Sequence, residues 1–385
     1  MKAARFKGLN NVTDPLTMGL EWLTQADNIH ITDRGRIDKR GGQVRTLAAS
    51  LSSAYATIDQ QRCYLVSGTT LKSLAGSAAA VTLATGLATT AMHWAEINGQ
   101  VFYNNGTDRG IIGTDNAILP WAWTVPNAPA LLQVSGSLPQ GQYQVCCTFT
   151  LADGRETGPS DAVQLDLSGG LQISAIPHAT GCTTNVYIAP ANSSVFGLAM
   201  QRAPSAMVWN SSADNLGREL LTADMSPLPA GCDVIQAWGG RLHAAQYLPD
   251  LDQSVVWSSQ PLGFHLFNLG KDGILLPGRV TMLAPHDKAL VMGTDRAVHA
   301  LTPEGLIELA PYGVVPGAHW SLDDDRTVLF WTTRGVCRAL PFSNLTQDNV
   351  SVAPSLRAGG AIVRDNGQKR YVVAIQQGGT AFNPR

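Results

Sequence analysis

The sequence predicts an all-β protein: a β-propeller of about six blades, interrupted by an inserted β-sandwich of the fibronectin III or immunoglobulin type. The first observation is a repeated unit in which short apolar strands alternate with turns rich in Gly, Asn and Asp. The second is spacing, since the first turns of the units lie near residues 60, 99, 240, 287, 324 and 367. The third is the one wide gap of 141 residues, which becomes about 41 when about a hundred inserted residues are removed.

The composition agrees with a turn-rich β-protein. Of the 385 residues, 44% are hydrophobic and 15% are charged, with 38 glycines and 21 prolines, which argues against disorder. A net charge of −2 gives no global basic field that would recruit nucleic acid or an acidic membrane. No apolar stretch follows Lys2, Arg5 and Lys7, so no secretory signal is expected. The nearly uncharged stretch Leu74–Trp94 is too polar for a membrane span. The six cysteines lack paired spacing and are expected to be free thiols, made in a reducing cytosol.

Residues 1–125 are expected to form an N-terminal arm and the first propeller blades. The apolar stretch Leu16–Gln25 is expected to be helix-like, and Asn28–Thr32 to be extended. A turn at Asp33–Gly35 then leads into a predicted hairpin that carries five basic residues: Arg34, Arg36, Lys39, Arg40 and Arg45. Two interpretations stay open, a solvated edge strand protected by its charges or a contact to DNA phosphates or to an acidic partner surface.

The blade strands follow in hairpins. Asn98–Gly99 is the strongest turn signal, because both residues tolerate positive φ between apolar runs. The sequence Gly-Thr-Asp-Arg occurs at both Gly106–Arg109 and Gly293–Arg296, which supports a true repeat. The last blade ends near the C-terminus without a fourth strand, so the stretch Ile29–Arg45 is expected to supply one and to close the ring.

Residues 126–227 interrupt the repeat, and residues 228–385 resume it. In the inserted module Tyr143, Val145 and Cys147 alternate on one face of a predicted strand, so the adjacent Cys146 should point to the other face. A turn at Asp153–Gly154 follows, and the sequence Gly154–Ser160 is similar to fibronectin type III and related domains. The module is therefore expected to be a sandwich of about a hundred residues.

The sequence contains no recognisable catalytic motif, metal site or cofactor-binding loop. His286, His299 and His319 lack ligand spacing and are expected to be structural. The acidic run Asp323–Asp325 and the pair Asp250 and Asp252 are expected to be solvated turns rather than calcium sites. Trp121 and Trp123 are expected to pack at the junction with the inserted module. Five other tryptophans are expected to pack between blades: Trp94, Trp238, Trp257, Trp320 and Trp331.

Several segments resemble a known group of proteins. Phe6–Pro15 and Ala26–Gly42 resemble the start of β-propeller virion proteins of tailed bacteriophages, and Trp238–Ala244, Val315–Ala318 and Thr333–Val336 fit the same group. The chain is similar to the tail nozzle, tail tubular or packaged-DNA stabilisation proteins of short-tailed phages. The compact length and the single insert differ from larger members of that family.

The resemblance implies a structural virion protein without enzymatic activity. Such a nozzle or hub subunit forms a ring, expected to be a hexamer, that extends the DNA channel below the portal and adaptor, retains packaged double-stranded DNA and passes it during ejection. Its partners would be other tail proteins, and it would be assembled in the host cytoplasm. The alternative is a propeller that binds or cleaves carbohydrate as a receptor-binding tail component. A third possibility is a cytoplasmic scaffold propeller of cellular origin.

Overall fold

The computed structural model describes residues 5–32, 34–42, 49–76, 79–89, 91–321, 327–351, 355–365 and 368–377. These residues are nearly all in strands, turns and extended segments, as the sequence predicts. The one helix among them is a single 3-10 turn, Ala213–Asn215, so no helix in the described part could cross a membrane. Arg45, the run Asp323–Asp325 and the predicted turn residues 366–367 lie outside the described residues.

The N-terminal arm forms two small two-stranded sheets. In the first, strands β1 (Gly8–Leu9) and β2 (Trp22–Leu23) run parallel, and in the second β3 (Ile29–Ile31) and β4 (Ile37–Lys39) form an antiparallel hairpin.

The expected helix over Leu16–Gln25 is wrong. Asp14 starts a turn, in which its side chain accepts from the N–H of Leu16 and its carbonyl from those of Thr17 and Met18. Leu16 is 93% exposed, so packing supplies no apolar surface that could hold an amphipathic helix of that length. The chain instead pairs Trp22 with Gly8.

Five four-stranded antiparallel sheets follow within the described residues, each ordered along the chain as in the blade of a propeller. The first contains β5–β8 and the second β9–β12; the other three contain β18–β21, β22–β25 and β26–β29. Their strands in chain order are β5 (Ser53–Ala56), β6 (Cys63–Ser67), β7 (Thr70–Leu74), β8 (Val81–Ala84), β9 (His93–Ile97), β10 (Gln100–Asn104), β11 (Arg109–Ile112) and β12 (Ile118–Leu119), and, after the inserted module, β18 (Cys232–Trp238), β19 (Arg241–Leu248), β20 (Gln253–Ser258), β21 (Gly273–Pro277), β22 (Val280–His286), β23 (Ala289–Thr294), β24 (Val298–Thr302), β25 (Gly305–Ala310), β26 (Trp320–Ser321), β27 (Val328–Thr332), β28 (Gly335–Arg338) and β29 (Ser343–Asn344).

The hairpin turns agree with the turn chemistry of the sequence. Asn98 and Gly99 have φ of 52° and 73°, and they join β9 to β10 as predicted. Gly239 and Gly240 have φ of 58° and 74° between β18 and β19. The sequence pattern did not locate the fourth strands of these sheets, because strands such as Ile118–Leu119 are too short to show a period.

A threonine at the end of the second strand has a structural role in two of these sheets. Thr294 is fully buried at the end of β23, and its Oγ1 accepts from the backbone N–H groups of Arg296 and Ala297. Thr332 ends β27 in the same way and accepts from the N–H of Arg334. Each hydroxyl therefore stabilises the turn into the third strand of its sheet.

The inserted module is all-β, and its hydrogen bonds join five strands into one antiparallel sheet ordered β16-β15-β13-β14-β17. The strands are β13 (Ala130–Leu151), β14 (Val163–Ser174), β15 (Cys182–Ala189), β16 (Gly197–Met200) and β17 (Met207–Trp209). The 22-residue β13 changes register with β14 near Leu138 and again near Gly141.

Both ends of this sheet contribute to a common core. Leu171 and Trp209 from one end lie in the same buried cluster as Val145 and Val186 from the other. One irregular sheet thus encloses a core that the sequence pattern assigns to two separate sheets.

The described part of the chain ends in a two-stranded hairpin, β30 (Ser355–Asp365) and β31 (Gln368–Gln377). Within the described residues of Ile29–Arg45 the expected closing strand is not found, because Ile29–Ile31 pairs with Ile37–Lys39 and neither strand joins β30 or β31. β3 and β4 flank a tight turn, so when they pair with each other the loop that must be closed is the shortest one available.

The chain divides into two compact units. One comprises Met1–Ala91, Tyr247–Val255 and Leu275–Arg385, and the other comprises Met92–Gln246 and Val256–Ile274. The first unit has a core around Val291 and Phe330. The second has the module core and another around Phe102, Trp121 and Phe267. The segments 1–125, 126–227 and 228–385 follow the repeat pattern and stay a prediction.

Candidate functional site

The basic hairpin β3–β4 is held by its backbone and by the arm. The turn closes through Gly35 N–H to Thr32 C=O at 2.8 Å, and Thr32 Oγ1 accepts from Arg36 N–H at 3.1 Å. Gly35 has a φ of 74°, and a Cβ at this position would lie 2.6 Å from Cβ of Arg5. Only glycine fits there, because Phe6 N–H must reach the Gly35 carbonyl at 3.0 Å.

The described members of the predicted basic set all lie on this hairpin and are exposed: Arg34, Arg36, Lys39 and Arg40. Arg36 makes one long ion pair, 3.8 Å from Nη2 to Oδ1 of Asp38, with its side chain 78% exposed. Such an exposed pair contributes little to stability. Because side chains alternate along β4, Arg36 and Arg40 belong to one face and Lys39 to the other.

This arrangement can act as a flexible cationic surface. Exposed Arg and Lys side chains bind phosphates or carboxylates of a partner with strongly salt-dependent affinity. Both interpretations from the sequence stay open: a solvated edge strand protected by its charges, or a contact to DNA phosphates or to an acidic partner surface.

The arm that carries the hairpin is attached to a loop near the end of the chain. Asn11 donates from its backbone N–H to the Asn349 carbonyl at 3.0 Å, and its side chain bridges the carbonyl and N–H of Ser351 at 2.8 and 2.7 Å. Asn10 is 5% exposed, and its Oδ1 accepts from the N–H groups of Val12 and Thr13. These two asparagines therefore fix the arm to residues more than 330 positions further along the chain.

The histidines predicted to be structural are placed in strands or beside them. His286 is buried, and its Nδ1 accepts from the N–H of Lys288 at 3.1 Å. His299 is buried opposite Glu308, with 4.0 Å between Nε2 and Oε2. Burial lowers the pKa of His299, while Glu308 acts in the opposite direction. His319 is half-buried.

A buried serine–histidine pair was not recognised from the sequence. Ser258 Oγ and His243 Nδ1 are 3.0 Å apart, and His243 Nε2 is 3.2 Å from the Trp238 carbonyl oxygen. Burial lowers the pKa of His243 to about 4, so the ring is neutral at pH 7. The ring fixes the turn after β18, and its only sequence signal is the segment Trp238–Ala244 of the resemblance.

The inserted module contains a buried carboxylate, Glu156, that the sequence did not single out. Its Oε1 accepts from Thr148 Oγ1, from Asn185 Nδ2 at 3.2 Å and from Tyr187 OH at 2.9 Å, and its Oε2 from Arg218 Nη2 at 2.6 Å. Burial acts to raise the pKa of Glu156, but the hydrogen bonds from Thr148, Arg218 and Tyr187 outweigh it and hold the pKa below its usual value. Glu156 belongs to the fibronectin-like segment Gly154–Ser160, which was the available signal.

The thiols are free, as predicted. Cys147 lies in the module core, whereas the adjacent Cys146 packs with Tyr187 and Leu220, so the two point to opposite faces of β13 as expected. Burial raises the pKa of Cys146, Cys147 and Cys232 to about 12. These thiols are therefore protonated, unreactive packing groups at neutral pH.

The two tryptophans at the junction lie beside a shallow cleft. Trp121 is 1% exposed, donates from Nε1 to the Phe264 carbonyl at 2.8 Å and meets the Phe102 ring edge-on at 5.3 Å. Trp123 lines the cleft with Pro227 and His265. Trp121 is thus a core residue, as the sequence suggested for this position.

The two members of the acidic pair Asp250 and Asp252 have different surroundings. Asp252 accepts from Tyr247 OH at 2.9 Å and pairs with Arg296, while Asp250 is exposed. No cluster of three or more His, Cys, Asp or Glu side chains suited to a metal ion occurs among the residues that the structure describes.

Comparison with known proteins shows no family. No protein-family model matches the chain, and no curated protein matches it. Among solved structures, apo AztD from Citrobacter koseri is 10% identical, with 84% of this chain and 79% of that one covered and a TM-score of 0.32. Dipeptidyl peptidase 4 of Porphyromonas gingivalis is 6% identical, covering 81% of this chain and 47% of that one, with a TM-score of 0.31.

A third similar structure is the extracellular domain of the putative one component system BT4673 from B. thetaiotaomicron. It is 11% identical, with 88% of this chain and 59% of that one covered and a TM-score of 0.24. At such scores the likenesses support no conclusion about activity, substrates or partners.

Proposed function

We propose that this chain is a structural subunit of a bacteriophage tail: a nozzle or hub protein that assembles into a ring, with the propeller completed to six blades and the module inserted as a sandwich. In this proposal the ring is a hexamer below the portal and adaptor. It retains packaged DNA and lets it pass during ejection, without catalysing a reaction.

The observation that carries this proposal is how the segments of the resemblance fold. Phe6–Pro15 and Ala26–Gly42, which lie apart in the sequence, meet through the hydrogen bond from Phe6 N–H to Gly35 C=O. Together they form an arm that Asn10 and Asn11 fix to Asn349 and Ser351. The two N-terminal segments of the resemblance therefore form one structural module that presents an exposed basic hairpin.

The electrostatics are compatible with a conduit for DNA. A net charge of −2 means that the subunit as a whole does not attract phosphates, and each neutralised phosphate would add salt-dependent friction. The exposed basic hairpin is a local exception and is suited to a contact with a neighbouring acidic surface or with DNA at one place. A ring contact of this kind joins different patches of successive subunits.

The assembly state tests the proposal. Negative-stain images of the purified chain and of the virion tail should show sixfold rings. Monomers in both preparations would contradict it, and so would a gene neighbourhood that lacks portal and capsid genes. Release or specific binding of sugars from a panel of host polysaccharides would favour the carbohydrate alternative.

A matched pair of variants tests the hairpin. Lys39→Ala with Arg40→Ala should weaken binding to double-stranded DNA and lower the salt slope by up to about 2 if both residues contact phosphates. Lys271→Ala with Lys288→Ala removes two exposed charges elsewhere and should leave binding unchanged. Equal effects of the two double variants would show that the hairpin has no special part in DNA binding.

A further inference from the structure

The last hairpin differs from every four-stranded sheet of the described chain in the length of its outer strand. β31 has ten residues, whereas the fourth strands β8, β12, β21, β25 and β29 have two to six. The hairpin is also two strands short of the sheets that precede it. A long edge strand is a template for pairing with another strand.

The hydrogen bonds of β30 show which edge is available. Ala358 N–H donates to the Pro316 carbonyl at 3.0 Å and Gly360 N–H to the Gly317 carbonyl at 3.3 Å, so these residues face away from β31. Since N–H and C=O groups alternate in direction along an antiparallel strand, Gly359 and Ala361 face β31 instead.

The same alternation determines the direction of the groups on β31. Gly359 is opposite Ala374 and Ala361 is opposite Val372, so these two residues of β31 point back to β30. The backbone groups of Tyr371, Val373 and Ile375 then point to the outer edge. Among the described residues no strand pairs with that edge.

The centre and the far end of this edge lack the features that normally prevent association. Lys369 and Arg370 lie at its start, but from Tyr371 to Gln377 the strand contains no charge, no proline and no glycine. By contrast, β25 carries Glu308 in its centre and β21 ends in Pro277.

The hairpin has one packed and one exposed face. Val373 and Ile375 pack against a core of Val315, Ala318 and Ala358. On the other face Val363 and Val372 are 44% and 39% exposed. Extension of the sheet past β31 would therefore continue an existing core while partly covering these valines.

We propose that β31 pairs antiparallel with β31 of a second copy of this chain, about a two-fold axis at Val373. The two hairpins then form one four-stranded sheet, β30-β31-β31-β30, with as many strands as the five four-stranded sheets that precede it in the chain. In this register Tyr371 lies opposite Ile375 and Val372 opposite Ala374 of the second copy.

Like charges do not oppose each other in this register, since Arg370 and Lys369 lie opposite positions 376 and 377, both glutamines. A second copy supplies the two strands by which the hairpin is shorter than the other sheets, which identifies it as the partner. The dimer does not depend on the tail function, because a ring uses contacts between different patches, whereas this contact joins identical ones.

Removal of the central outward N–H group tests the dimer. Sedimentation of the full chain should show a concentration-dependent dimer, and Val373→Pro should weaken it about tenfold or more, because each copy loses one edge hydrogen bond. Val373→Ala also shortens the side chain but keeps the N–H and should dimerise more tightly than Val373→Pro. A wild type that stays monomeric at about 100 μM, or equal dimerisation of the two variants, would overturn the proposal.

Cross-linking tests the register and leaves the backbone N–H groups of β31 in place. Val372→Cys mixed with Ala374→Cys should give a disulfide-linked dimer, since these positions form a close pair without hydrogen bonds across the axis. Val372→Cys alone should link poorly, because its own symmetry mate lies diagonally. The wild-type chain is the control for any cross-link formed by the half-buried native thiols of Cys63 and Cys182. Equal linking by the single variant and the mixture would exclude this register.

Discussion

Two buried polar groups of the chain differ in how they are stabilised. Glu156 in the inserted module keeps its charge, because three neutral donors and Arg218 surround the carboxylate. His243 in the four-stranded sheets is kept neutral, and its two ring nitrogens are bonded to Ser258 and to the Trp238 carbonyl. Thr294 and Thr332 likewise satisfy backbone N–H groups without any charge.

The difference follows from the range of the contacts. The donors to Glu156 come from three segments as far as 62 residues away in sequence, so the carboxylate connects β13, β15 and the segment after β17. The contacts of His243, Thr294 and Thr332 in the four-stranded sheets are local, and each stabilises one turn or one hairpin. Loss of the charge should therefore weaken the module as a whole, whereas loss of a local hydroxyl should weaken a single sheet.

Removal of the buried carboxylate gives the largest expected effect. Glu156→Ala leaves the hydroxyls of Thr148 and Tyr187 without this acceptor, and urea unfolding at pH 7 should show a loss of about 3 kcal/mol, moderated because Arg218 is half-exposed. Glu304→Ala, at an exposed turn, serves as the control and should leave the midpoint unchanged. Equal midpoints for the two variants would show that the network adds no stability.

Replacement of the residues of the strongest predicted turn tests how much a local feature of one hairpin contributes to stability. Asn98→Val with Gly99→Val forces two β-branched residues to positive φ, which should cost about 2–3 kcal/mol. Thermal unfolding measures it, and Asn98→Ala should have a smaller effect. An unchanged melting curve would contradict the assigned turn.

Acidification distinguishes the neutral His243 from the charged Glu156, because each loses its contribution to stability in a different pH range. The pKa of His243 falls from 6.5 to about 4 on folding, so the unfolded chain binds more protons between these values. Stability should therefore be full above pH 6.5 and decrease as pH falls, by about 2 kcal/mol from this group at pH 4.5. His243→Gln should reduce that slope, and part should remain because burial also lowers the pKa of His265 and His299.

Glu156 acts in a lower pH range. Because the pKa of Glu156 is lowered on folding, its contribution is present above its usual value of 4.5 and is lost only as pH falls through the lower folded value. Unfolding midpoints measured from pH 7.5 to 3 should thus show the loss linked to His243 first. A single transition that His243→Gln leaves unaltered would contradict the comparison.

The smallest effect is expected for the repeated threonine. Thr294→Val leaves the N–H groups of Arg296 and Ala297 without an acceptor and should cost about 1 kcal/mol. Thr332→Val should behave in the same way, whereas Thr114→Val, at an exposed position, should be neutral. Urea midpoints of the three variants check the series, and a neutral Thr294→Val would remove the structural role assigned to this threonine.

Local signals were sufficient where strand, turn and strand are adjacent. Asn98–Gly99 and Gly239–Gly240 mark hairpins because these residues accept positive φ at low cost, and the apolar runs beside them have the period of a strand. The opposite faces of Cys146 and Cys147 follow from the same period. The candidate basic hairpin was also predictable, since Asp33–Gly35 is a turn signal between two extended segments.

Pairings between distant segments were decided only by the tertiary structure. The amino-acid sequence determined an all-β chain, its hairpins and its exposed basic turn, because backbone preference and side-chain alternation act over a few residues. It did not determine that β13 joins both ends of a single module sheet, that Glu156 finds Arg218, or that Ile29–Ile31 pairs within its own hairpin. Those choices depend on which surfaces are buried together and which competing loop is shortest, and neither is visible in a local pattern.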